Sequence, residues 1–280
     1  MVQHHPWLTF VTHATLIAGA LVLAFPIYVT FVASTHSLQE ITGAFPLIPG
    51  RHLVENYLRA LTVGPRDVGA TVGTMMLNSL LMALGITAGK IAISLLAAFA
   101  IVYFRFRLRM TFFWMIFITL MLPVEVRILP TYKVAANLKL LDGYAGLILP
   151  LIASATATFL FRQFFMTVPD ELCEAVRIDG GGPMRFFFDV LLPMSRTSIA
   201  ALFVILFIYG WNQYLWPLLV TTDVKYYTLL IGIKRMLDVG EGQAEWHIIM
   251  ASTMLAMMPP VLVVVLMQKQ FVRGMTETEK

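Results

Sequence analysis

Residues 167–193 read TVPDELCEAVRIDGGGPMRFFFDVLLP and lie between two long apolar runs. The segment gathers seven charges and three consecutive glycines in a chain that is 59% hydrophobic and only 13% charged. Thr167 followed by Asp170 fits a capping box, and Pro169 is tolerated in a first helical turn. Asp170 and Glu171 then sit at the positive end of the helix dipole. Leu172, Ala175 and Val176 share a face, while Glu174, Arg177 and Asp179 decorate the rest. Gly180 to Gly182 stop this helix, because glycine accepts the left-handed conformation that ends one. Pro183 opens a second helix, PMRFFFDVLL, which Pro193 closes. Helices this short are marginal alone and need a surface to pack against. Two readings of the segment stand: a connector lying on lipid, or a docking element for a soluble partner.

The flanking runs set the class. A mean hydropathy of +0.79 over 280 residues is that of a polytopic membrane protein. A helix needs roughly 20 mostly apolar residues to cross a bilayer. Six stretches qualify: 14–34, 76–103, 111–130, 144–165, 198–220 and 248–268. The expectation is an all-α membrane protein of six spans in one domain over 1–280. Continuous apolar runs disfavour a β-barrel, and helices satisfy their own backbone groups in lipid. Residues 1–13 hold no Lys or Arg, so the first run reads as a retained anchor. The single cysteine, Cys173, excludes an internal disulfide. Scattered basic residues, a net charge of +4 and a pI near 9.2 suit contact with anionic lipid and give no nucleic-acid signature. Arg105, Arg107 and Arg109 crowd one short loop, and such clusters stay inside. Both termini and the 166–196 loop are therefore expected in the cytoplasm, with 35–75 and 223–247 outside.

The opening segment resembles the cytoplasmic loop of permease subunits of binding-protein-dependent ABC importers of the carbohydrate type. Their pattern is Glu-Ala-Ala, two residues, Asp-Gly-Ala, nine residues, then Ile-x-Leu-Pro. Here it reads Glu174-Ala175-Val176, Asp179-Gly180-Gly181 and Val190-Leu191-Leu192-Pro193, departing at Val176, Gly181 and Val190. The resemblance implies a type I importer permease fold in a bacterial inner membrane. It implies that Glu171, Glu174, Ala175, Arg177, Asp179, Gly180 and Pro193 belong to a coupling loop gripped by an ATPase subunit. The partners implied are a second, homologous permease, two ATP-binding subunits and a periplasmic solute-binding protein. This chain would then be no enzyme and bind no cofactor, with ATP and Mg held by the ATPase subunits. Stretches such as FFWMIFITLMLPVEVRILP and FIYGWNQYLWPLL are similar to the glycerol-phosphate branch of that family. That similarity implies sn-glycerol-3-phosphate as solute, with a neutral sugar or other small polar solute as the alternative.

Five residues are candidates for the solute pathway. Lys90 sits near the middle of the second span, where a charge is expensive and usually faces protein or water. Gly85 and Gly89 beside it permit close helix approach, so Lys90 either serves an anion or pairs within the interface. Pro123 and Pro130 bracket Glu125 and Arg127 and are expected to interrupt the third span. Broken helices are where transporters place polar groups, and guanidinium suits phosphate; the other reading pairs Glu125 with Arg127 or the partner permease. Asn212 and Gln213 either line the pathway or hydrogen-bond across helices. Trp211 and Trp216 could equally anchor at the interface. GITAGK lacks the spacing and the hydroxyl of a phosphate loop. No metal-ligand spacing or catalytic constellation appears. An ion-driven carrier would need internal repeats and intramembrane carboxylates, and neither is evident.

Overall fold

The computed structural model describes residues 6–43, 46–65, 68–119, 122–238 and 244–276, apart from the side chains of Pro6, Val124, Glu125 and residues 270–276. All regular structure among them is helical. In chain order the helices are α1 (Pro6–Ser34), α2 (Leu38–Gly43), α3 (Leu53–Thr62), α4 (Val72–Tyr103), α5 (Arg109–Ile118), α6 (Val124–Asn137), α7 (Tyr144–Ile148) and α8 (Ala155–Phe165). Then come α9 (Asp170–Ile178), α10 (Pro183–Phe186), α11 (Leu192–Met194), α12 (Arg196–Trp211), α13 (Leu215–Val220), α14 (Leu229–Leu237) and α15 (Trp246–Thr276).

Among the described residues three helices are long and apolar enough to cross a bilayer: Trp7–Ser34, Val72–Tyr103 and Trp246–Lys269. Two bent pairs qualify if each counts as one span: Tyr144–Leu151 with Ala155–Phe165, bent by 49°, and Pro183–Met194 with Arg196–Trp211, bent by 71°. The expected third span, 111–130, is not one helix. Helix α5 stops at Ile118 and α6 starts after Pro123, whose φ of −54° and ψ of 144° lie outside the helix. A proline disfavours the helical conformation in the residue before it, so the break falls there. Pro130 does not interrupt; α6 runs on to Asn137 around it. The expected fifth span begins at Arg196 and ends at Trp211, with α13 a separate turn. Nor does Pro193 close the second loop helix. Residues Phe187–Leu191 form a π turn ahead of it, and the helix continues to Met194. The wider turn relieves the clash that a proline ring makes with the preceding turn.

The chain divides into two compact units. The first holds residues 1–74 and 232–257. In it α1 stays bare, with Trp7, Phe10, Leu21, Val22 and Leu23 more than half exposed until Val32 and Ala33 become buried. Buried Asn56 ties the end of α1 to α3, its Nδ2 donating to Ser34 O and His36 O at 2.9 Å each. Arg59 pairs with Glu245.

The second unit holds residues 75–231 and 258–280. Its long element is α4, approached without spacing by two neighbours. A Cβ on Gly85 would lie 2.6 Å from Ile148 Cδ1, and one on Gly89 would lie 2.5 Å from Ile152 Cγ2. On the α12 side, a Cβ on Gly210 would stand 2.9 Å from Ala83 Cα. Lipid tails are as apolar as leucine, so such contact, and not the hydrophobic effect, holds helices together in a bilayer. Polar ties add to it. Asn78, 1% exposed, donates to Lys225 O and Tyr227 O and accepts from Tyr144 Oη at 2.7 Å. Outside the spans, Asp142 accepts hydrogen bonds from Asp223 N and from the Thr222 hydroxyl and amide, and these hold its carboxyl below the ordinary range.

Gly210→Ala should cost about 1–3 kcal/mol by overpacking against backbone, seen as a lower Tm of the purified assembly. Gly19→Ala, with nothing within 4 Å inside the chain, should not lower Tm.

Candidate functional site

The loop that opened the sequence reading is built on aromatic packing. Phe99 and Phe187 lie 5.0 Å apart between centroids, and Tyr103 meets Phe186 edge-on at 5.1 Å. Tyr103 Oη donates to Phe165 O at 3.2 Å. Phe161, Phe165 and Leu191 are buried in the same cluster. Pairs of this kind contribute about 0.5–1.5 kcal/mol each beyond the area they bury. Together they fasten α10 and the π turn to the ends of α4 and α8.

Helix α9 is seated less deeply. Cys173 and Val176 turn inward, while Leu172, Ala175 and Ile178 point to solvent, so the apolar face read from sequence is split. Ile178 is 85% exposed, an apolar side chain with nothing over it among the described residues. Asp170, Glu171, Glu174, Arg177 and Asp179 are exposed around it. The expected capping box is not formed. Pro169 is the N-cap residue with no side-chain cap, and the Thr167 hydroxyl donates back to Phe164 O at 2.7 Å. Behind α9, Arg105, Arg109, Asp170, Cys173, Glu174 and Arg177 line a cavity of about 710 Å³.

The second candidate site is a cavity of about 330 Å³ lined by residues of α4, α6, the α7–α8 break, α12 and α13. Four of the five candidate pathway residues, Lys90, Arg127, Asn212 and Gln213, line it. The Glu125 side chain, and with it the expected Glu125–Arg127 pair, lies outside the described residues. Lys90 is 7% exposed, and its Nζ stands 3.8 Å from the centroid of the Tyr209 ring. No carboxylate lies among the described lining residues, and neither Lys90 nor Arg127 has an ion-pair partner among the described residues. Gln213 Nε2 donates to Tyr209 O at 3.1 Å, one turn back along its own chain and not across to another helix. Trp211 and Trp216 are both 3% exposed, so neither is an interfacial anchor. Trp216 Nε1 donates to Gly146 O at 3.0 Å and closes one wall.

Residues 90–277 match the family of the binding-protein-dependent transport system inner membrane component. The chain belongs to this family. It is 60% identical over 281 residues, covering 100% of both chains, to the sn-glycerol-3-phosphate transport system permease protein UgpE of Escherichia coli O1:K1. The same-named proteins of Shigella flexneri serotype 5b and Escherichia coli K12 are each 59% identical over equal coverage. These relatives are transport permeases and not enzymes. A chain of a bacterial ABC transporter involved in the import of the acidic polysaccharide alginate shares the fold, with a TM-score of 0.84 at 19% identity over 97% of this chain and 99% of that one.

Sequence reasoning missed Ile178 and Tyr209. An isoleucine or a tyrosine in an apolar context gives no signal of its own; Ile178 was readable only as the third member of a Leu172, Ala175, Ile178 spacing. The departures from the family pattern do have a structural reading. Helix α9 ends in a Schellman motif: Gly180 has φ +74°, its N–H donates to Arg177 O at 3.0 Å, and Gly181 N–H donates to Val176 O at 2.7 Å. A Cβ on Gly181 would lie 2.6 Å from Val176 Cγ1. The bulk added at 176 occupies the volume removed at 181. Gly181→Ala alone should therefore destabilise the loop, and Val176→Ala with Gly181→Ala should recover only part of the loss, because a Cβ at 181 also meets Val176 O at 2.9 Å. A double-mutant cycle on Tm measures this coupling.

Proposed function

We propose that this chain is a transmembrane permease subunit of an ATP-driven ABC importer that carries sn-glycerol-3-phosphate across the bacterial inner membrane. Residues 1–280 serve as one permease domain, with both termini and the 166–196 loop in the cytoplasm. The partners are a second, homologous permease, two ATP-binding subunits that hold ATP and Mg, and a periplasmic solute-binding protein. This chain hydrolyses nothing and binds no cofactor itself. Full-length identity of 60% to a permease of that name supports the solute.

The observation that carries the reading is Lys90. A lysine at mid-span costs about 2.5–3.5 kcal/mol on insertion scales, and a desolvated cation–π contact returns roughly 2 kcal/mol. An aromatic face therefore leaves the ammonium short of a full counter-charge. Arg127 lines the same cavity, so the chamber offers two cations to a phosphate ester carrying nearly two negative charges at neutral pH. Asn212 and Gln213 supply amides for its oxygens. The cavity lies within the range of small-molecule sites. Among the described residues, a neutral sugar would leave both cations without a counter-charge.

Uptake of labelled sn-glycerol-3-phosphate by the whole complex in proteoliposomes, with binding protein and ATP supplied and maltose as control, tests this. Lys90→Met should lower phosphate-ester uptake per ATP hydrolysed at least tenfold while the complex still assembles. Uptake of maltose alone would overturn the solute and leave the importer assignment standing.

The exposed strip of Leu172, Ala175 and Ile178, ringed by Glu171, Glu174, Arg177 and Asp179, supports α9 as the element that enters a cleft of the ATPase subunit. Closure of the two ATPase subunits would then reach the bilayer as a rigid-body movement. Ile178→Asp and Glu174→Lys should each release the ATPase subunits on size-exclusion chromatography. Co-elution of either variant at wild-type stoichiometry would remove that residue from the interface.

A further inference from the structure

Among the described residues, the Lys90 ammonium rests on an aromatic ring and not on an acid. That choice has a chemical consequence for a chamber that must take up an anion and then let it go. A carboxylate beside Lys90 would satisfy the charge in the empty chamber and compete with any entering phosphate. Water would do the same, but Lys90 is 7% exposed. The Tyr209 ring, 3.8 Å from Nζ, attracts the cation through its quadrupole and carries no net charge, so it holds the ammonium without neutralising it. Among the described residues, the other ionisable side chains facing this chamber are Arg127, which repels Lys90, and Tyr214. Neither is a carboxylate. The ring is itself fixed: Tyr209 lies in the last turn of α12, its carbonyl accepts from Gln213 Nε2, and Gly210 beside it is pressed onto Ala83 of α4. The helix that carries the ring is thus packed directly on the helix that carries the lysine.

We propose that Tyr209 is a positioning residue for solute translocation, its ring face serving as the resting place from which a phosphate oxygen of the solute draws the Lys90 ammonium. This rests on the reading of the chamber as the path of an anionic solute. The part is played by the ring face, so phenylalanine and tryptophan can take it. Leucine and methionine fill comparable space without a quadrupole and cannot.

The test is uptake of sn-glycerol-3-phosphate per ATP hydrolysed, by the complete complex with its binding protein in proteoliposomes, for Tyr209→Phe, Tyr209→Trp, Tyr209→Leu and Tyr209→Met. Lys90→Met is run beside them. Transport per ATP should fall about tenfold for leucine and methionine and stay within about twofold of wild type for phenylalanine and tryptophan. Leucine or methionine at the wild-type ratio overturns the proposal. So does phenylalanine falling as far as leucine, which would assign the role to the hydroxyl. ATPase and uptake declining in step would also overturn it, since that marks a packing role. If Lys90→Met transports the phosphate ester as wild type does, the anionic pathway itself fails and Tyr209 falls with it. If Lys90→Met fails while Tyr209→Leu succeeds, only the role of Tyr209 is lost.

Discussion

Close contact with α4 over its glycines and Ala83 is the constraint on which both sites depend. Gly85 and Gly89 let Ile148 and Ile152 press into the helix, and Gly210 lets the backbone of α12 reach Ala83. In lipid no hydrophobic force would restore a gap once opened, so packing and the polar ties at Asn78 must hold the register. That register decides where the Lys90 ammonium meets a ring. One added methyl at Gly210 would disturb the seating of the element that carries Tyr209 before it touched either polar side chain.

The same helix fastens the loop at its other end. Phe99 and Tyr103 take up Phe187 and Phe186, and Tyr103 ties to the Phe165 carbonyl. The aromatic cluster and the cation-bearing chamber are thus two stations along one continuous helical rod. Force applied at α9 need not travel through side-chain rearrangements to reach the chamber. It can move the rod. The 49° break between α7 and α8 and the 71° bend before α12 leave its neighbours segmented, while the described length of α4 is unbroken.

Charge and proline were the legible parts of the sequence. Lys90 and Arg127 were visible because an ionised group in an apolar run has few explanations, and the loop because seven charges there need a reason. The break at Pro123 was readable for the same cause, yet Pro130 was misread: a missing N–H can be tolerated by a helix that goes on, and sequence does not say which proline will be. Six apolar runs were counted as six rods, whereas 111–130, 144–165 and 198–220 are each divided, because hydropathy measures transfer and not the continuity of a hydrogen-bond ladder. The Thr167 cap failed because a serine- or threonine-type hydroxyl can bond backward as readily as forward. Tyr209 stayed silent since an aromatic side chain in a span is ordinary until its neighbour is known.

The contact between positions 176 and 181 also limits how the loop can be exchanged. The family pattern carries alanine at both positions, and this chain carries valine and glycine. Of the two single steps between those states, valine with alanine places a methyl 2.6 Å from Val176 Cγ1, whereas alanine with glycine leaves only a small gap. The two positions are therefore not independent: a methyl at 181 and a branched side chain at 176 compete for one volume. A loop exchanged between relatives must carry both positions across together.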